Sequence, residues 1–291
     1  MPVAVSRSRF THRALDYWLY RCSGEAHRVI TATELARQPD CVIVDCRFVL
    51  GDPEAGFDHY RQGHIPGAHY LHLEDDLSAP PATHGGRHPP PDPGILAARL
   101  ASLGIGIDTP VVAYDDSRLA FAARLWWLMR ALGYRAPQLL NGGYQAWLAA
   151  GGATETAIPV PRPCAPPVMG GYRGVCTIEG LRQWQAQGSV LVDSREYRRY
   201  AGLEEPIDPV AGHIPGACNY PWQGVTDEWG YLRDEQGLRA HFEGLPEDRP
   251  LVVYCGSGVT ACVNLYALSR LGRNDAELYA GSWSDWCSYL A

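Results

Sequence analysis

The chain has 291 residues, 46% of them hydrophobic and 20% charged, with a formal net charge of −7. That length is about twice a usual domain, the composition excludes a fibrous or disordered chain, and the negative charge gives nucleic acid no footing. Nine cysteines, odd in number and without CxxC or metal-ligand spacing, fit a reducing cytoplasm better than a disulfide framework; the first 30 residues do not resemble a secretory signal, and no apolar run approaches membrane-spanning length.

Thr31 and Glu34 are spaced for a capping box at a helix start. CVIVD at 41–45 reads as a strand buried on both faces, with Cys41 and Cys46 as small buried hydrophobes and Asp45 and Arg47 at its end. GHIPGA follows at 63–68, and then SAPPATHGGRHPPPDPG at 78–94, a surface loop by composition that carries His84, Arg87 and His88. PVVAYD at 110–115 is the next strand, and after it Leu119, Ala123 and Trp126 recur at helical spacing.

The same order then repeats. Residues 151–172, which include PVPRPCAPP, can form neither a packed helix nor a central strand and read as a linker between a first domain at 1–150 and a second at 173–291. SVLVD with Arg195 matches the first strand, GHIPGA returns at 212–217, LVVYC at 251–255 matches PVVAYD, and Val259, Val263 and Tyr266 are set against Leu119, Ala123 and Trp126. Glycine-rich turns precede Trp147 and Trp286, and the first half carries about nine extra residues in its proline-rich loop. Strand and helix in alternation predict α/β domains with mainly parallel sheets, in which ligands bind beyond the carboxyl ends of the strands.

The duplication separates scaffold from chemistry. Asp45, Arg47, Asp193, Arg195 and the two GHIPGA segments occur in both halves and read as structural. Cys255 occurs once, at a strand end, followed by Gly256, Ser257, Gly258, Val259 and Thr260 before a helix. Glycines let successive N–H groups turn inward around an anion, the helix adds the positive end of its dipole, and a thiolate in such a cradle is a nucleophile. In the first half Asp115 stands in place of the cysteine and is followed by Asp116, Ser117 and Arg118, so that half is expected to be non-catalytic. Arg199 is also confined to the second half, with Gly51 opposite, and is a candidate to hold an anion, a carboxylate or sulfonate, in two-point fashion.

The duplicated halves, the two GHIPGA segments and the loop CGSGVT resemble the two-domain rhodanese-like sulfurtransferases over nearly the whole chain. The resemblance implies two tandem rhodanese-like domains, each a mainly parallel sheet flanked by helices, with a persulfide formed on Cys255 of the second. It implies no metal or organic cofactor. The uncharged loop is similar to that of 3-mercaptopyruvate sulfurtransferases, in which the residue matching Ser257 relays a proton with a histidine matching His64 and a nearby aspartate. Within the same resemblance Arg199 grips the donor's carboxylate, and the loop from Gly256 through Gly258, Val259 and Thr260 holds the persulfide anion. Thioredoxin, glutathione or cyanide are the acceptors implied.

Ile207 stands where mercaptopyruvate enzymes often carry a second arginine, which keeps thiosulfate as an alternative donor, while Glu205 matches an acid common to both types. A non-enzymatic sulfur carrier or binding module is a further alternative; a phosphatase is disfavoured because Ala261 occupies the place of its loop arginine. His64 has two readings, structural because His213 is its twin, and catalytic by resemblance. His84, Arg87 and His88 are within sequence reach of the cleft.

Overall fold

The structure is a computed structural model that describes residues 28–38 and 40–290. In the first half the elements run β1 Val29–Ile30, α1 Ala32–Leu35, β2 Val42–Asp45, α2 Pro53–Gln62, β3 His69–Tyr70, α3 Pro93–Ser102, β4 Val111–Tyr114, α4 Ala122–Ala131, β5 Gln138–Leu140 and α5 Gly143–Ala149. The second half repeats them as β6 Val175–Cys176, α6 Ile178–Ala186, β7 Val190–Asp193, α7 Tyr197–Tyr200, β8 Ala217–Asn219, α8 Glu235–His241, β9 Leu251–Tyr254, α9 Ala261–Arg270, β10 Glu277–Tyr279 and α10 Ser282–Cys287. The two five-stranded sheets have the same order, β1-β5-β4-β2-β3 and β6-β10-β9-β7-β8, with every pairing parallel. The β4 and β9 strands lie in the middle of their sheets and are buried at every position, as strands covered on both faces must be.

Each repeated motif has the same local job in both halves. Asp45 takes a bidentate bond from Arg47, whose Nη2 also donates to the Gly63 carbonyl at 2.7 Å; Asp193, Arg195 and the Gly212 carbonyl repeat that arrangement at 2.7 Å. His64 stacks on Tyr60 with its Nδ1 2.8 Å from the Tyr60 carbonyl, and His213 does the same on Tyr200 at 2.8 Å. These ion pairs tie the end of a central strand to the GHIPGA turn, so the motif fixes the fold. The Thr31 capping box forms as the spacing predicts.

One correspondence needs correcting. Helices α4 and α9 both end in a leucine followed by a left-handed glycine, Gly133 (φ 85) and Gly272 (φ 86), so Trp127 rather than Trp126 is the counterpart of Tyr266. The loop before α4, residues 115–121, is one residue longer than the loop 255–260 before α9. Leu119 and Val259 therefore lie in these loops, outside the helices. Nor is α4 one-sided: every residue from Ala122 to Met129 is buried. It packs on its own sheet and also against α9, with Trp126 edge-on to Tyr266 at 5.1 Å, so one apolar core runs from Leu100 and Leu125 through Val253 and Val263. Such a helix is apolar on almost every face, and here the buried Arg124 is the exception.

Beyond α5, residues 151–172 contain no helix or named strand and run back over the first half, where Glu155 pairs with His64 and Tyr172 donates to the Pro91 carbonyl at 2.9 Å. The extra loop crosses to the second half: Gly85 N donates to Asp285 at 2.7 Å, Arg87 N to Ser284 at 3.2 Å, and His84 stacks on Tyr289. Gly86, at φ 83, meets the Gly281 carbonyl so closely that any Cβ there would lie 2.4 Å from it. The long loop thus staples the first half to the mouth of the second.

Candidate active site

Cys255 follows the last residue of β9 at the centre of the second sheet and is 1% exposed. Its N–H donates to Ser282 Oγ at 3.1 Å, its carbonyl accepts from Trp283 N at 3.0 Å, and the Gly256 carbonyl accepts from Ser284 N at 2.9 Å. Three bonds to the start of α10 therefore fix the loop from one side. Gly258 turns the chain at φ 79, where a Cβ would stand 2.3 Å from the Ala280 carbonyl, and its N–H points at the Cys255 sulfur at 3.2 Å. Only glycine satisfies both demands.

The other side of the loop is held by the first half. Arg124, the single charged residue in the first two turns of α4, is fully buried and donates through Nη1 to the Gly258 carbonyl at 3.1 Å and through Nη2 to the His88 carbonyl at 3.0 Å; its Nε and Nη2 also reach the Leu77 carbonyl, at 3.4 and 3.3 Å. His88 Nδ1 lies 2.8 Å from Ser257 Oγ, and its Nε2 is 3.7 Å from Glu74 Oε1. Burial, with help from the Arg124 and Arg87 charges, pulls His88 down to about 4, so its ring is neutral at physiological pH.

Arg199 leaves α7 toward the same loop. Its Nε and Nη2 bond Glu205 and its Nη2 also reaches Asp208 at 3.1 Å, while Arg87 pairs with the other oxygen of Asp208. Burial pushes Asp208 up while Arg87 and Arg199 draw it down. For Glu205 burial also pushes up, but the bonds from Arg199 and from Asp208 N outweigh it and leave the carboxyl below its ordinary value. Cys262, the second residue of α9, is pushed up to about 12 by burial and stays a thiol.

The predicted residues Cys255, Gly256, Ser257, Gly258, Val259 and Thr260 form one loop, and Arg199 reaches the space over it. His64 is not part of this group. It is wholly buried against Tyr60, Ile65 carries the chain on from it, and its Nε2 lies 3.7 Å from Glu155. The histidine on Ser257 is His88, from the proline-rich loop, and this corrects the assignment of a relay to His64. Glu74 and Arg124 were not singled out from sequence. The signal for Arg124 was present: one arginine inside the apolar run AARLWWLM has to be paired.

At the matching corner of the first half, where the loop is one residue longer, the place over the strand end is already filled. The Asp115 carboxylate accepts from the N–H groups of Ser117, Leu119, Phe121 and Ala122 at 2.8 to 3.0 Å. Burial pushes Asp115 up to about 6, against those four bonds, which favour the carboxylate. Its oxygens are two bonds from Cβ, the place that the outer sulfur of a cysteine persulfide would take. A cavity of about 660 Å³ between Leu35, Ile65 and Trp147 shares no residue with the Cys255 loop. Among the described residues no cluster suited to a metal ion occurs and no helix is long and apolar enough to cross a membrane.

Tandem sheets of identical order, with a thiol in a glycine cradle at the end of one central strand, define a class. The chain belongs to the rhodanese family: the rhodanese-like domain matches residues 31–150 and again 177–289, and the protein is an enzyme of the sulfurtransferase class. It is 46% identical to a probable 3-mercaptopyruvate sulfurtransferase of Pseudomonas aeruginosa, over 89% of this chain and 94% of that one. It is 41% identical to a putative thiosulfate sulfurtransferase of Mycobacterium tuberculosis, again over 89% and 94%. Among solved structures, 3-mercaptopyruvate sulfurtransferase from Leishmania major superposes with a TM-score of 0.81 at 29% identity, covering 92% of this chain and 76% of that one. A 3-mercaptopyruvate sulfotransferase of Escherichia coli gives 0.76 at 30% identity, covering 88% and 98%.

Proposed function

We propose that the second domain moves a sulfane sulfur from 3-mercaptopyruvate to an acceptor thiol, or to cyanide, through a persulfide on Cys255. The Cys255 thiolate attacks the donor's sulfur and the carbon–sulfur bond breaks. The bonding pair passes to carbon as pyruvate enolate, and the proton of the former thiol is left to be moved from sulfur to that carbon. Acceptor thiolate then attacks the outer sulfur, breaks the sulfur–sulfur bond and returns Cys255 as thiolate. Reduced thioredoxin or glutathione in a reducing cytoplasm would serve as acceptor.

The observation that carries this reading is the contact between His88 and Ser257 beside the nucleophile. Thiosulfate leaves as sulfite, and no carbon needs a proton. Mercaptopyruvate leaves as an enolate and does. A neutral imidazole with one nitrogen on the Ser257 hydroxyl and the other toward Glu74 is suited to pass that proton along. Loop N–H groups between Gly256 and Thr260 would hold the persulfide much as the N–H groups of Ser117, Leu119, Phe121 and Ala122 hold the Asp115 carboxylate, and with that place already taken the first domain serves as brace and loop donor without turnover.

Thiosulfate remains a second reading on one specific ground, the two guanidinium groups near Gly256. The two readings separate in kcat/KM measured side by side with each donor. A ratio of about 10 or more in favour of 3-mercaptopyruvate is expected, since one relayed proton is worth that much or more. A preference for thiosulfate would overturn the donor and leave the nucleophile in place.

A further inference from the structure

We infer that Arg87, a residue of the first domain, supplies the second arm of a two-arginine clamp on the donor's anionic group, and so makes donor binding depend on both domains. This rests on the functional reading above. From the second domain Arg199 brings its guanidinium to Gly256, and Ile207 is half-exposed with its N–H on Glu205. Arg87 comes from the opposite direction. A methyl group placed on Gly256 would lie 3.3 Å from Nη2 of Arg87 and 3.4 Å from both Nη1 and Nη2 of Arg199. The two guanidiniums thus face one point, directly above the residue that follows the nucleophile.

How each arginine spends its donors bears this out. Arg87 uses Nη1 on Asp208, and Arg199 uses Nε and Nη2 on Glu205 and Asp208. Nη2 of Arg87 and Nη1 of Arg199 have no protein acceptor among the described residues, and these are two of the three nitrogens aimed at the point over Gly256. Asp208, with its side chain 2% exposed, is the shared internal counter-ion that orients both groups, while Arg87 keeps 33% of its side chain toward solvent, where a donor arrives. A carboxylate or sulfonate over Gly256 would accept one N–H from each arginine with its transferable sulfur close to Cys255. Glycine at 256 leaves room for it. Because Arg87 and His88 are neighbours, one stretch of the first domain delivers both the anion contact and the proton relay, and the site is incomplete without that domain.

Arg87→Ala should raise KM for 3-mercaptopyruvate and Ki for pyruvate by about 10- to 100-fold, the worth of a charged hydrogen bond, with a much smaller change in kcat. Arg87→Lys should recover only part, since an ammonium keeps the charge and loses the fork. KM for thiosulfate, measured in parallel, should rise as well, because the clamp reads the anion and not the carbon skeleton. Arg87→Gln, which keeps a hydrogen bond to Asp208 without the charge, is read in the same way should Arg87→Ala lose its fold. Unchanged KM and Ki in a folded, uncharged variant would overturn the clamp, while wild-type enzyme would still load sulfur on Cys255. Failure of the wild type to load Cys255 from either donor would instead sink the functional reading and the clamp with it.

Discussion

Cys255→Ser should lose sulfur transfer from every donor by about three orders of magnitude or more, the scale on which removing a covalent nucleophile is felt. A serine hydroxyl fits the space, so folding and donor binding should persist; what disappears is the atom that forms the sulfur–sulfur bond. The loss should be the same with 3-mercaptopyruvate and with thiosulfate, because both readings of the donor pass through this sulfur. Pyruvate release and sulfite release, followed separately, check it. The buried Cys262 cannot substitute, since burial pushes its thiol up to about 12 and keeps it protonated at neutral pH. Residual turnover above a hundredth of wild type with either donor would contradict the assignment.

Arg124→Met should destabilise the protein by about 3–5 kcal/mol, although the side chain never meets the donor. Methionine fills the volume but leaves the carbonyls of Leu77, His88 and Gly258 buried without a donor, at about 1–3 kcal/mol each before relaxation. For a chain of this size that is a fall in melting temperature of about 10 °C. Activity should fall further than stability alone explains, because the same guanidinium holds the backbone of both His88 and Gly258. Thermal unfolding together with kcat at a temperature where the variant is folded separates the two effects. Unchanged melting would show that the three carbonyls find other partners.

The parallel sheets and their duplication could be read from the chain because each strand is a short apolar run ending in a motif that occurs twice. The nucleophile stood out for the converse reason: Cys255 and its glycines lack a counterpart. The rest was hidden by the way the halves meet. Arg124 bonds a loop more than 130 residues away and Glu74 faces that loop only through His88, so no local pattern carries either; His88 could be placed within reach of the cleft, but not on Ser257. His64 shared a motif with a catalytic resemblance, yet its stacking on Tyr60 repeats at His213 and Tyr200, as the duplication implied. The helix correspondence slipped by one because the offset of β4 and β9 was carried through a loop that is one residue longer in the first half.

The absence of basic residues after Cys255 also looks different in three dimensions. The positions themselves are Gly256 and Ser257, uncharged, but Arg87 and Arg199 bring two positive charges to the same place from two separate elements. Charge over the loop therefore does not by itself choose the donor; under the function proposed above, the proton relay is what distinguishes the two.

The central claim is that sulfur passes through Cys255. Wild-type protein treated with 3-mercaptopyruvate in the absence of acceptor, then digested and mapped by mass spectrometry, tests it directly. The expected result is one added sulfur on the peptide that contains Cys255, removed by a thiol acceptor with release of the persulfide sulfur. Sulfur found on another cysteine, or turnover without any sulfur on the protein, would contradict it.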